Sequence, residues 1–321
     1  MSVAQTPPAN RTCFVVSDGR RGIENQALGL AEAVARLTPL RLMPVHVPRS
    51  GALPDPGAIE PELWIGCGRA AVRASAAHRK AFPGTVMVYA QHPRDGLDRF
   101  DLVIPPRHDR LSGPNVFSLL GSPNRITRSR LEDGAAPFAE RVEALPAPRA
   151  AVLIGGDSKH HRFTADVSDY LLDRLVLLRQ RGVSLMITVS RRTPQTFTDA
   201  LQDRFGADAG VWLHAGAGEN PYFAFLHFAD WIFVTEDSTN MLTEAASTGT
   251  PVFRLGLDGD AGKFTHLYHE LEAAGALRPF LGRLERWDYT PLHETERAAH
   301  RVLEILDAKP DSLTHAESAT G

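Results

Sequence analysis

Short apolar runs alternate with amphipathic helical segments from Arg11 onward, and the alternation starts afresh after a two-proline stretch at residues 145–149, LPAPR. Nothing else in the chain limits its fold as much. A chain written strand, helix, strand, helix lays its strands parallel and covers the sheet with helices. CFVVS (13–17) reads as the first strand, followed by the polar stretch DGRRGIENQ and the helix ALGLAEAVARL (27–37). RLMPVHV, ELWIGCG, TVMVYAQ, DLVIPP and NVFSLLG (115–121) read as further strands, with the Ala-rich helix RAAVRASAAHRKAF between the second and third of these. After the linker, AVLI opens a second series: the helix at 167–181 closed by Gly182, SLMITVS, a helix from Pro194, VWLH, WIFVT, the helix STNMLTEAAST closed by Gly249, and PVFRL. ETERAAHRVLEILDA (294–308) is a last amphipathic helix. The pattern predicts two α/β domains, residues 1–145 and 150–290.

Composition removes several function classes. With 321 residues, 43% hydrophobic and 23% charged, the chain has the make-up of an ordinary globular protein. A net charge of -3 argues against nucleic acid as a partner, which needs a marked Lys/Arg excess. Cys13 and Cys67 make neither a disulfide framework nor a zinc spacing. HExxH, EF-hand and GxSxG motifs are absent, and His266 and His269 lack a third ligand, so no metal is expected. The amino-terminal stretch lacks the blocks of a signal peptide, and no run nears about 18 apolar residues. A cytoplasmic protein with no transmembrane segment is expected, with peripheral contact at the inner membrane left open.

Ligands of parallel sheets bind beyond the carboxyl ends of the strands, and four polar loops stand there. Gly155, Gly156, Asp157, Ser158, Lys159 and His160 follow AVLI; glycines let amides approach an anion, although the loop also reads as a plain turn. Ser190, Arg191, Arg192 and Thr193 follow SLMITVS; the arginines suit phosphate, and Thr193 suits capping a helix from Pro194. Glu236, Asp237, Ser238, Thr239 and Asn240 follow WIFVT, with Asp237 or Ser238 the expected helix cap; Glu244, inside that helix, is either solvent-facing or an acceptor for ribose hydroxyls. In the first half, residues 17–26 carry Asp18, Arg20, Arg21, Glu24 and Asn25, with Asp18 and Glu24 candidate general bases. Gln91 and His92 close another strand of that half.

Glu244, Ala245 and Ala246, then Gly249, Thr250, Pro251 and Val252 after a polar strand end, resemble the donor-sugar motif of GT-B glycosyltransferases. The peptidoglycan transferase that adds N-acetylglucosamine to lipid II is the best comparison. There the glutamate binds the nucleotide ribose and a Gly-Gly-Ser loop binds the diphosphate, which Gly155, Gly156 and Ser158 match with Asp157 inserted. From residue 14 to 297 the chain is more closely similar to the bacterial branch of the plant "elongated mitochondria" fission family, through SDGRRGIENQALGLAEA, LWIGCGRAA, YAQHPR, FDLVIPPRHD, GGDSKHHRF, TVSRRTP, NPYFAFL, VTEDSTNMLTEAASTGTPV, RPF and WDYTPLHET. That family is regarded as GT-B-like glycosyltransferases; members have also been labelled nucleoside-diphosphate-sugar epimerases, and plant members are known for recruiting fission machinery.

The resemblance implies two Rossmann-like domains facing a cleft, with helix 293–308 crossing back to the first. It implies a nucleotide-sugar donor, UDP-linked among the options, a glycan or lipid-linked acceptor, and no further cofactor. Gly155, Gly156, Asp157, Ser158, Lys159, Ser190, Arg191, Arg192, Glu236, Asp237, Ser238, Thr239, Asn240 and Glu244 would serve the donor. Asp18 or Glu24 would take the acceptor's proton beside Arg20, Asn25, Gln91 and His92. An epimerase, or a non-catalytic scaffold of the same fold, are the alternatives. The charged first loop differs from the glycine-rich, histidine-ended loop of the peptidoglycan enzyme, so its acceptor chemistry does not carry over.

Overall fold

The computed structural model describes residues 11–49, 55 and 59–309. The chain forms two compact units, one from residues up to Arg125 together with those from His293 onward, the other from Ile126–Leu292.

In the first unit, β1 (Arg11–Ser17), α1 (Arg21–Leu37), β2 (Leu40–His46), β3 (Leu63–Gly66), α2 (Gly68–Ala81), β4 (Val86–Tyr89) and β5 (Leu102–Val103) follow in order. The strands form a parallel sheet, order β2-β1-β3-β4-β5. All four residues of β3 and of β4 are buried, whereas the edge strand β2 is half-exposed and tolerates Pro44, whose missing N–H would break a central strand. One face packs Leu30 and Val34 of α1 with Val302 and Leu306 of the final helix; the other packs Trp64, Phe82 and Phe100. The final helix runs against α1 and is tied to the first unit by Glu294, which accepts the Leu120 amide at 2.6 Å, and Thr295, which accepts the Asn124 amide at 3.0 Å.

Two expectations for this unit change. The stretch DGRRGIENQ is not all loop, because α1 begins at Arg21 and carries Glu24, Asn25 and Gln26 in its first turns. Asp18 accepts the Arg20 amide at 3.2 Å and Gly19 takes a φ of +74°, so the chain turns within two residues and the helix starts at once. NVFSLLG makes no strand, only isolated bridges of Val116 to Val103 and Leu119 to Pro106. Pro105 and Pro106 end β5 after two residues, and the Asn115 side chain bonds the carbonyls of Leu97 and Phe100 instead.

The second unit opens with α3 (Arg128–Ala135) and α4 (Ala139–Glu143), continues through β6 (Arg149–Ile154), β7 (His161–Arg162), α5 (Ala165–Gln180), β8 (Ser184–Val189), α6 (Gln195–Phe205) and β9 (Val211–His214), and then α7 (Tyr222–Phe228). It is completed by β10 (Trp231–Thr235), α8 (Thr239–Ala246), β11 (Val252–Leu255), β12 (Asp258–Gly259), α9 (Phe264–Ala273) and β13 (Leu277–Pro279), before α10 (Glu294–Ala308), the helix already described, returns to the first. Six strands form a parallel sheet, β13-β11-β10-β6-β8-β9, while β7 and β12 make a short antiparallel ladder. The boundary lies at Arg125/Ile126 and not near Leu145, because α3 packs on α7 and Arg141 of α4 lies over the Trp212 ring at 4.0 Å. Phe233, Phe253 and Phe280 form the aromatic centre of this unit's core, with ring centroids 4.9–5.2 Å apart.

Candidate functional site

The order β10-β6-β8 puts the three polar loops of the second unit on adjacent strands. Asp237 ties them together. Its side chain is fully buried; it accepts the Gly156 amide at 3.0 Å, the Thr235 hydroxyl at 2.8 Å and Arg192 Nη2 at 2.6 Å. Thr235 Oγ1 in turn accepts the Gly155 amide at 2.7 Å, and Thr193 Oγ1 donates to the Gly155 carbonyl. A Cβ at Gly155 would overlap Asp237 Oδ1, and one at Gly156 the Arg192 carbonyl oxygen. The glycine pair is therefore required by close approach within the protein, and both its amides are already donating.

Neither expected cap is formed. Thr193 precedes α6 but receives the Ser190 amide at 2.9 Å in place of a helix amide, and Pro194 stands at the cap position. Asp237 is engaged as described, and Ser238, at the cap position of α8, makes no side-chain cap bond. Asp157 accepts the Phe163 amide at 2.8 Å, and Ser158 Oγ accepts the amides of His160 and His161, so both carboxylate and hydroxyl shape the turn into β7. Ser190 Oγ holds the Arg192 amide at 3.1 Å. Glu236 is directed elsewhere: its carboxylate takes Arg254 and the Leu257 amide, while its carbonyl accepts the Tyr268 hydroxyl at 2.7 Å. Buried His161 lies 4.0 Å from that carboxylate, and burial holds its pKa below the ordinary value.

What remains uncommitted is small and well defined. Lys159, after β6, and Arg191, after β8, are exposed and take no carboxylate among the described residues. Thr239 opens the first turn of α8, where its neighbour Asn240 is already partnered. One turn on, Glu244 is half-buried and accepts the Tyr222 hydroxyl of α7 at 2.5 Å. Burial pushes its carboxyl up to about 7, against the opposing effect of that hydrogen bond, and pushes the Tyr222 phenol well above its usual range. Tyr222 was not singled out from sequence, although NPYFAFL carries it; only the packing of α7 reveals the pair.

In the first unit, the Asp18 side chain is 2% exposed and engaged by Arg20 Nε at 2.8 Å and Arg49 at 3.7 Å. Both of its carboxylate oxygens are thereby engaged, Oδ1 by the Arg20 amide and Oδ2 by the guanidiniums. Glu24 instead reaches across to His46 Nε2 at 2.7 Å, at the carboxyl end of β2. That histidine sits in RLMPVHV without any local mark, and only the pairing of β2 with β1 brings it beside α1. Gln91 donates to Gln26 at 3.2 Å, His92 Nδ1 accepts the Arg94 amide at 3.0 Å, and Asn25 is half-buried on α1. Both cysteines are buried, and burial drives their thiols far up in pKa, so they are inert packing groups. No group of three or more His, Cys, Asp or Glu is arranged for a metal among the described residues, nor is any helix there long and apolar enough to cross a membrane.

The two parallel α/β units have a GT-B-like fold. The UDP-GlcNAc 2-epimerase from Methanocaldococcus jannaschii superposes with a TM-score of 0.59 at 11% identity, covering 92% of this chain and 99% of that one. A structure of the M. jannaschii enzyme in complex with UDP-GlcNAc and UDP gives 0.56 at 12% identity, with the same coverage. Within that class, the chain belongs to the mitochondrial fission ELM1 family, whose profile matches residues 21–306. The mitochondrial fission protein ELM1 of Arabidopsis thaliana is 31% identical over 79% of this chain, and the match spans 66% of the plant protein's length. The uncharacterized protein RP120 of Rickettsia prowazekii is 24% identical over 90% of this chain and 97% of its own.

Proposed function

We propose that the chain is a glycosyltransferase that takes a sugar from a nucleotide-linked donor held by the second unit. Glu244 carries this reading. A half-buried carboxyl served by one tyrosine hydroxyl has unused acceptor capacity, and the vicinal hydroxyls of a ribose are donors of matching kind. The diphosphate charge then falls to Lys159, Arg191 and the side-chain-uncapped start of α8, since the Gly155 and Gly156 amides are spent on the protein itself. Thr239, at the start of α8, is the polar group offered to the sugar. Leaving-group charge is stabilised electrostatically by these cations and amides. In the first unit, His46 rather than Asp18 is the group suited to accept a hydroxyl proton, with Glu24 orienting its ring.

Calorimetry with UDP-GlcNAc and UDP tests the donor site: Glu244→Ala and Arg191→Ala should each weaken binding at least about tenfold, and unchanged binding in both would remove the reading. Epimerisation is the second reading, favoured by the fold likeness to UDP-GlcNAc 2-epimerases. Incubation with UDP-GlcNAc and no acceptor separates the two, because only an epimerase yields a new sugar isomer under those conditions.

A further inference from the structure

NPYFAFL places Tyr222 on α7, apart from the three polar loops of the second sheet, yet its hydroxyl reaches Glu244 of α8. The chain enters α7 from β9 through residues 215–220, all of them exposed, where Gly216 and Gly218 take φ values of +95° and +79° with nothing within 4 Å of a Cβ. That stretch ends at a firm point. Asn220 Oδ1 accepts the Tyr222 amide at 3.1 Å, Pro221 is buried, and Ala224, Phe225 and Leu226 enter the core, where Phe225 meets the Trp212 ring edge-on at 4.9 Å. A rigid phenol on such a base holds the end of a freer glutamate side chain in one place.

The bond also decides what stays open. Tyr222 donates to Glu244 Oε2 at 2.5 Å, whereas Oε1 takes no hydrogen bond among the described residues. Both side chains are half-buried. α8 packs on β10, β11 and α9, and the charged and titratable groups of those elements are directed elsewhere. Arg254 of β11 goes to Glu236 and Glu272, and Tyr268 of α9 to the Glu236 carbonyl. Lys263 and Glu270 have partners, His266 and His269 are exposed, and Tyr289 donates to the carbonyls of Ala245 and Thr250. Burial favours the protonated Glu244 carboxyl, and donation from Tyr222 is the force that opposes it. Burial and the adjacent carboxyl keep the phenol itself protonated well beyond its usual range, so Tyr222 is a permanent donor here.

We propose that Tyr222 is a positioning residue for the donor: it fixes Glu244 through Oε2, leaves Oε1 free for a ribose hydroxyl, and thereby sets the pH at which the site takes a ribonucleotide. The ribose rests on the transferase reading; the hold of Tyr222 on Glu244 does not.

Carbon-13 NMR of the full chain, with the Glu244 carboxyl assigned by its loss in Glu244→Gln, reads that hold directly. In Tyr222→Phe, which keeps the ring and its packing, the Glu244 titration should move up by about one pH unit. An unmoved midpoint overturns the proposal. UDP calorimetry reads the consequence: Tyr222→Phe should bind about fivefold more weakly near pH 7 and recover most of that loss by about pH 9, where the carboxyl ionises even without the phenol. A loss of equal size at every pH would mark a merely structural tyrosine and sink the idea. The donor reading fails separately, through wild-type UDP affinity that is flat with pH and unchanged in Glu244→Ala; a shifted Glu244 titration in the same preparation would still uphold Tyr222 as the group that positions Glu244.

Discussion

The carboxyl ends of the two sheets use a buried aspartate in opposite ways. Asp237 in the second unit draws inward, binding two backbone-linked partners and Arg192, so three loops become one internally satisfied block. Asp18 in the first unit is nearly as buried, but it accepts only the amide and guanidinium of its neighbour Arg20 and faces Arg49 at 3.7 Å, so it ties fewer loops together. The same topology thus yields a rigid floor in one unit and a charged rim in the other. In the second unit, the groups free to bind are those the aspartate leaves out, Lys159 and Arg191. A glycine-rich loop after a strand is therefore not by itself a phosphate site; its amides must first be shown to be unspent.

Backbone substitutions probe this contrast most strongly. Gly156→Ala forces a Cβ into the Arg192 carbonyl and should cost about 3 kcal/mol in urea unfolding. Gly19→Ala, whose nearest neighbour is His46 at 3.9 Å, should cost only about 1 kcal/mol, from its left-handed φ. Equal losses would break the distinction between rigid and loose ends. Asp237→Ala leaves buried donors unpaired and should lower stability by about 2–3 kcal/mol, against about 1 kcal/mol for Asp18→Ala, whose arginines turn to water.

Glu244 sharpens the comparison through pH. Its folded pKa, about 7, lies above the usual 4.5, so the folded state holds the proton more tightly than the unfolded chain. The resulting cost in stability is absent below 4.5, grows between the two values and is complete above 7. Glu244→Gln should therefore stabilise the protein at pH 8 by up to about 3 kcal/mol and leave it unchanged at pH 4. A Tm difference independent of pH would show that the carboxyl is not desolvated. In wild type, nucleotide affinity should rise as pH passes 7, because ribose hydroxyls favour the ionised carboxylate. The smallest structural effect belongs to Glu24→Ala, which breaks a partly exposed pair and should shift stability by less than about 1 kcal/mol. Sugar transfer should nevertheless fall while UDP-GlcNAc binding stays intact.

Much of the architecture was legible in the chain itself. Strands at CFVVS, AVLI, SLMITVS and WIFVT, and the helices behind them, follow from periodicity that each segment carries alone. NVFSLLG has strand composition, but Pro105 and Pro106 in the segment it pairs with lack the N–H groups that would extend the isolated bridges into a ladder. The boundary near Leu145 misled because α3 and α4 carry no mark of the unit they pack on; α7 decides that.

The candidate site divides along the same line. Residue identity at strand ends follows from sequence, because a parallel sheet always exposes those loops: Lys159 and Arg191 stand there, whereas Glu244, inside a helix, is marked only by the motif it belongs to. What each polar group does depends on its partners, and partners are set by strand order. Placing β6 between β10 and β8 turns Asp237 from an expected cap into the centre of a lock, and placing β2 beside β1 gives Glu24 its histidine. Local patterns dictate which residues reach the sheet ends, since burial periodicity is a property of each segment. Only the tertiary structure decides which of their charges and amides are left unsatisfied, since that depends on neighbours many residues away.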